Sequence, residues 1–204
     1  MKKIKVKVTY IEPILGTTSG DPTIHDTFIA SKAPDAKSRE EEVAAIGVVE
    51  EIEKSMTVFP KENGIPFVWD YQWRGFFKDT CAALQRMKGE KCAKESCGMK
   101  AYKKIIDGCI FVTPRRIPFD GFNGQMETLQ RPLRGQTAQG ERIALANSEM
   151  IHEGVSNTFY IETPDVYEKA VYEWLDRGEK RGMLQWRNGG YGRFTYEVLD
   201  VESV

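Results

Sequence analysis

Residues 181–194 gather the groups with the most chemistry to offer: Gly182, Trp186, Arg187, Asn188, Gly189, Gly190, Tyr191, Gly192 and Arg193. Three glycines in four positions let a backbone approach another group closely, and guanidinium forks beside aromatic rings suit a phosphate next to a base. A second reading stays open here, that of a tight helix-to-strand loop whose glycines permit the turn while Trp186 and Tyr191 pack on the core. Further cations recur along the chain: Arg74, Lys78, Arg115, Arg116, Arg131 and Arg134 around Pro132, and Arg142. With Phe119, Phe122, Trp186 and Tyr191 interleaved, they form a candidate surface for unpaired nucleotides, because arginine holds phosphates and rings stack on bases. The alternative is a set of dispersed surface charges offset by Asp120, Glu127, Glu141 and Glu149. Recurrence in loops at one predicted end of a sheet favours the first, with a polyanion docking across an open sheet.

Acid/base material is scarce. His25 and His152 are the only histidines, so a Ser-His-Asp hydrolase has almost nothing to work with. Asp21 and His25 share a loop-like stretch with Gly16, Gly20 and Pro22, where an aspartate ordinarily serves a turn and a histidine the surface. Cys81, Cys92, Cys97 and Cys109 lack the paired spacing of zinc knuckles and are read as reduced thiols, with no structural metal. No cofactor is expected; Mg²⁺ enters only if the chain is a nuclease.

The 204 residues suit a single domain, residues 1–204, and 41% hydrophobic with 29% charged residues is a globular balance. Nothing approaches the roughly 18 to 20 consecutive apolar residues that span a bilayer, so no membrane partner is expected. The first residues alternate lysine with β-branched side chains where a signal peptide needs an apolar block, which points to a cytoplasmic location. Net charge is −1, unevenly spread: residues 35–53 hold seven acids against Lys37 and Arg39, a net of −5, which leaves +4 elsewhere. A near-neutral chain can therefore still carry one basic face.

The elements that would position these groups follow from periodicity. Residues 3–10 alternate as a strand, 15–34 read as loop, and an acidic helix is expected over 36–54 with Val43, Ile46, Val49 and Ile52 on one side. Residues 57–59 and 65–69 are read as a hairpin closed by an Asn-Gly-type turn. A core helix follows over 70–88, with Trp73, Phe76, Phe77, Cys81 and Leu84 inward and Arg74, Lys78 and Arg86 on its flank. Residues 88–104 read as an exposed excursion, 105–112 as a strand, and the chain to about 128 as loop. Strands are expected over 139–150 and 157–163, a helix over 164–178 presenting Val166, Ala170 and Trp174, and a last strand over 193–201. The skeleton is α+β, a ferredoxin-like (RRM-like) β-α-β-β-α-β core with a helical insertion, 35–60, and an extra hairpin.

On these residues the chain resembles the RAMP superfamily, the repeat-associated RNA-binding proteins that form backbone and processing subunits of CRISPR systems. Its loop from Gly182 through Asn188-Gly189-Gly190-Tyr191-Gly192-Arg193-Phe194 is similar to the family's closing G-φ-G-x5-G-x-G loop, with Leu184 where the second glycine stands. Ile65-Pro66 with residues 71–78 resembles the segment leading into the family's first core helix, and residues 149–159 resemble its passage before the last helix. The likeness covers about 65–200 and the first strand, leaving residues 35–55 outside it. It implies binding of single-stranded RNA in preference to DNA, without strong sequence specificity. It also implies partnership with further copies in a filament-like oligomer, with the acidic helix as the contact between neighbours, or with CRISPR effector subunits. The chain also looks like short phage- and prophage-borne proteins, which implies either a replication accessory or an anti-defence mimic of a CRISPR backbone subunit. Type III backbone subunits carry a cleavage aspartate after the first strand, which Asp21 matches, and the processing branch uses a histidine as general acid/base, which His25 matches. The resemblance thus makes an endoribonuclease the enzyme alternative.

Overall fold

Lysines alternating with Ile4, Val6 and Val8 give the first strand one buried face. In the computed structural model, which describes residues 1–20, 56–87, 94–137 and 140–203 and only the backbone of residues 94, 132–137 and 140–145, it runs Lys2–Tyr10 as β1. Short strands β2 (Ile14–Leu15), β3 (Thr18–Ser19), β4 (Met56–Val58), β5 (Lys61–Glu62) and β6 (Ile65–Trp69) come next. Helices α1 (Asp70–Arg86), α2 (Lys94–Gly98) and α3 (Tyr102–Cys109) lead to β7 (Phe111–Thr113), β8 (Arg116–Pro118), β9 (Glu127–Thr137), β10 (Gly140–Ile151) and β11 (Ser156–Thr163). A 3-10 turn at Asp165–Tyr167, α4 (Glu168–Asp176), α5 (Gly178–Arg181), a 3-10 turn at Arg187–Gly189 and β12 (Phe194–Ser203) finish the described chain.

The fold is α+β. Its main sheet has the order β12-β1-β11-β7 with all neighbours antiparallel. Both long helices lie on one face of that sheet, because Trp73 of α1 packs 4.4 Å from Phe159 of β11 and 5.4 Å from Phe194 of β12, and Phe77 sits 5.5 Å from Trp174 of α4. These rings, with Ile4, Val6 and Val8, belong to one core. A second layer is built on β10, which pairs along its length with β9 and, on its other edge, antiparallel with β2 and in parallel with β4. A small third sheet orders β5-β6-β8.

Several expectations change. Residues 57–59 do not pair with 65–69; the hairpin is β5–β6, turned by Asn63 and Gly64 at φ 51° and 79°, the two left-handed residues a tight primed turn requires. Freed from that hairpin, β4 joins β10 instead. Residues 105–112 are mostly the end of α3, whose only fully buried side chain is Ile106, followed by the short β7; a continuous apolar run has no period to distinguish the two states. The described part of the 88–104 excursion is not exposed throughout: Ser96 and Met99 are buried, and the Glu173 carboxylate of α4 accepts hydrogen bonds from the Glu95 and Ser96 amides at 3.1 Å. Val166 is 72% exposed, since the chain there is a 3-10 turn and not the first turn of α4. Cys81 and Cys109 are free thiols as expected, whereas Cys97 is disulfide-bonded. The acidic helix at 36–54 lies outside the described residues. No helix among the described residues is long and apolar enough to cross a membrane.

Trp73 is the ring on which β11 and β12 converge. Trp73→Ala should cost about 3–5 kcal/mol, read as a lower urea midpoint at unchanged slope; a loss under about 1 kcal/mol contradicts this packing.

Candidate nucleic-acid interface

After α5 the backbone turns left-handed at Gly182, Leu184, Trp186, Gly190 and Gly192, with φ of 67°, 63°, 53°, 93° and 69°. Leu184 therefore takes the conformation that glycine adopts most easily. The two arms of the loop cross: the Met183 amide donates to the Gly192 carbonyl at 3.0 Å, and the Gly192 amide donates to the Pro13 carbonyl at 2.8 Å. A Cβ on Gly182 would be driven into the Tyr191 carbonyl, and one on Gly192 into that of Met183. What these two glycines approach is the loop itself. Gly189 lies against Trp186, where a Cβ would come 2.8 Å from the indole.

The crossing pushes a tip outward. Trp186 is 39% exposed and stacks on Tyr191, centroids 4.9 Å apart and planes 15° from parallel. Asn188 and Gly189 are exposed beside it. The loop's first arm rests on the second layer: Gln185 Oε1 lies 3.0 Å from the Thr57 hydroxyl of β4 and 2.8 Å from the Ser148 hydroxyl of β10. On β9, Arg131 stands directly opposite Ala146, and its guanidinium sits 4.4 Å from the centre of the Trp186 ring. Arg131 is only 7% exposed, and burial pushes its guanidinium below its ordinary value, offset in part by Tyr191.

On the other side the loop is tied to α1. Asp79 accepts from Arg181 Nε at 2.8 Å and lies 3.4 Å from Arg187 Nε. Burial alone would raise the Asp79 carboxyl, but the Arg181 hydrogen bond and the charges of Arg187, Arg181 and Arg86 outweigh it and hold it below its ordinary value. Arg181 also donates to the Asn188 side chain at 2.6 Å.

The sequence-predicted cations divide accordingly. Arg131, Trp186, Arg187, Gly189, Gly190, Tyr191, Gly192 and Arg193 come together at the loop, where Arg193 Nε donates to the Gly190 carbonyl at 3.0 Å and its Nη2 lies 3.6 Å from Glu12. Arg74 and Arg115 instead flank Asp70 at 3.1 and 3.7 Å, Arg116 pairs with Glu62, and Lys78 pairs with Asp107. Asp70 and Asp79 are separated along α1 by about 13 Å, at 1.5 Å per residue. Arg134 and Arg142 lie on β9 and β10, where only the backbone is described. Asp21 and His25 lie outside the described residues. Asp79, Thr57, Ser148 and Gln185 went unnoticed in the sequence; their partners are remote in the chain, and no local pattern announces them.

The open face of the main sheet also differs from expectation. Lys3 faces Glu162 and Glu202 across its two neighbouring strands, Lys5 faces Tyr160 and Asp200, and Lys7 faces Thr158 and Glu197. Directly opposed residues share a face, so four carboxylates stand among three ammonium groups there. The charges of that surface therefore largely offset one another.

No family model matches the chain, and no curated protein matches it. Among solved structures it is similar to a chain in the cryo-EM structure of the Type III-B Cmr-beta bound to cognate target RNA. The identity is 13% and the TM-score 0.47, with 98% of this chain and 60% of that chain covered. The present chain thus spans about three-fifths of that one.

Two predictions test the loop. Gly192→Ala should destabilise by more than about 2 kcal/mol, since it adds a clash to a left-handed backbone, whereas Leu184→Gly should stay within about 1 kcal/mol of the parent because relief of strain offsets lost packing. Chemical denaturation ranks the two, and equal losses contradict the crossing. The depressed Asp79 carboxyl contributes stability that is fully present above its unfolded value of about 3.9 and is lost as pH falls through its folded value. Asp79→Asn should therefore be less stable at neutral pH, with the gap to the parent closing as pH falls through the carboxylate range. A gap that does not change with pH contradicts the Asp79 ion pairs.

Proposed function

We propose that this chain is a RAMP-like protein that binds single-stranded nucleic acid, RNA in preference to DNA, without strong sequence specificity. The order β12-β1-β11-β7, with α1 and α4 on one face, is that of the last, first, third and second strands of a β-α-β-β-α-β unit, which supports a ferredoxin-like core. The observation that carries the reading is the loop tip: an exposed tryptophan, stacked on Tyr191 and backed by a cation, at the rim of a second sheet. Such a tip offers ring edge and stacked π surface to bases and guanidinium groups to phosphates, neither of which selects a particular sequence. The binding surface in this reading is the loop and the β9–β10 ribbon, not the open sheet. CRISPR effector subunits, or further copies of the chain along one strand, would be secondary partners.

Fluorescence anisotropy of labelled unstructured RNA and DNA across a salt series tests it. Affinity should fall log-linearly with salt, with a slope of about −0.7 per neutralised phosphate. Trp186→Ala should weaken binding about tenfold, because it removes the ring that holds both Tyr191 and Arg131 in place. Absence of binding to either polymer at low salt overturns the reading.

A further inference from the structure

The described cations of this region differ in one respect. Arg181 and Arg187 share Asp79, Arg193 reaches Glu12, Arg74 and Arg115 share Asp70, and Arg116 has Glu62. Arg131 has no carboxylate, and none of its nitrogens meets a hydrogen-bond acceptor among the described residues. Its Nε is shut off from solvent without a partner. A buried guanidinium in that state has lost water on one side and gained only the Trp186 ring on the other, and a ring face cannot accept the in-plane N–H groups. Those donors project from the guanidinium edge, where a flat, two-oxygen anion fits the fork.

The surroundings are suited to such an anion. Ala146, directly opposite Arg131, presents only a methyl group to that face of the ribbon, and Ser148 lies two residues along the same face. Gln185 spends its Oε1 on the Thr57 and Ser148 hydroxyls, and its amide Nε2 donates to nothing among the described residues. Through Ser148 it reaches the face of β10 that carries Ala146, the residue opposite Arg131, and so brings an uncommitted neutral donor to that face. Negative side chains are engaged elsewhere: Glu149, on the opposite face of β10, accepts from the Phe59 amide and Lys61, both at 2.8 Å.

We infer that Arg131 is the phosphate-reading residue of the interface, its edge hydrogen-bonding one backbone phosphodiester of the bound strand with the Gln185 amide alongside, while Trp186 holds the guanidinium flat. The inference rests on the nucleic-acid reading above and adds to it where the first phosphate contact is made. The acid-paired arginines then position the loop and contribute little to phosphate affinity, since a strand must compete with a carboxylate for each.

The test compares the parent with Arg131→Met, Arg131→Lys, Trp186→Ala and a remote charge deletion on α3, Lys103→Met, by anisotropy with an unstructured RNA oligonucleotide and by thermal melting. Arg131→Met should bind at least tenfold more weakly and lower the salt slope by about 0.7, the share of one phosphate. Its Tm should hold or rise, because a buried cation with no counter-charge is being replaced by an apolar chain of similar length. Arg131→Lys should recover the slope but only part of the affinity, since the ammonium keeps the charge and loses the fork. Lys103→Met should bind like the parent. Unchanged affinity in Arg131→Met while Trp186→Ala still weakens binding overturns the inference and leaves the nucleic-acid reading standing. A lower Tm in Arg131→Met makes the residue a structural cation, which also overturns it. If the parent binds no RNA, the broader reading fails first and takes this assignment with it.

Discussion

Two backbone segments cross between α5 and β12, and they can do so only where no side chain intervenes. Gly182 passes against the carbonyl of Tyr191, Gly192 passes against that of Met183, and one amide-to-carbonyl bond of 3.0 Å pins the crossing. Its consequences reach both layers of the molecule. The arm holding Gln185 and Trp186 is laid on the β4–β10–β9 sheet, and Arg181 and Arg187 are turned toward Asp79 of the core helix. The loop is therefore a joint between the two layers as well as a candidate binding element, and its glycines are accounted for by that joint before any ligand is considered.

Electrostatics then distinguish residues that composition alone treats as equivalent. A cation paired with a carboxylate presents little net field to a polyanion, and most of the arginines here are so paired. Opposed lysines and acids on the open sheet cancel in the same way. What remains is a local arrangement in which a buried guanidinium is held by an exposed indole ring that stacks on a half-buried tyrosine. The chain's −1 net charge is no obstacle to a polyanionic partner once attraction is confined to so small a region.

The parts legible in the sequence are those with a strong period or a strong local signal. Alternation identified β1, β11 and β12, the apolar stripe of Trp73, Phe76, Phe77 and Leu84 identified α1, and Asn63-Gly64 identified a hairpin turn, although its partner strand was assigned one segment too early. β9 was missed because Arg131, Pro132, Arg134 and Gly135 read as loop chemistry; among the described residues this strand pairs only with β10, and a proline is tolerated where the outer edge carries no ladder. Ile105-Ile106 fits strand and helix equally, because a short apolar run has no period to separate the two states. In the site, Trp186, Tyr191 and the arginines were recognisable by type. Their division into paired and unpaired cations was not, since each pairing is a long-range contact: Asp79 lies 102 residues from Arg181.

The central claim is that a single strand meets this protein at the loop tip and the β9–β10 ribbon. Amide hydrogen exchange with and without an unstructured RNA oligonucleotide addresses it directly. The account predicts slowed exchange over residues 182–193 and 127–131, with β1 and β11 unchanged. Protection confined to the open face of β1, β11 and β12, or no protection while binding is saturated, contradicts it.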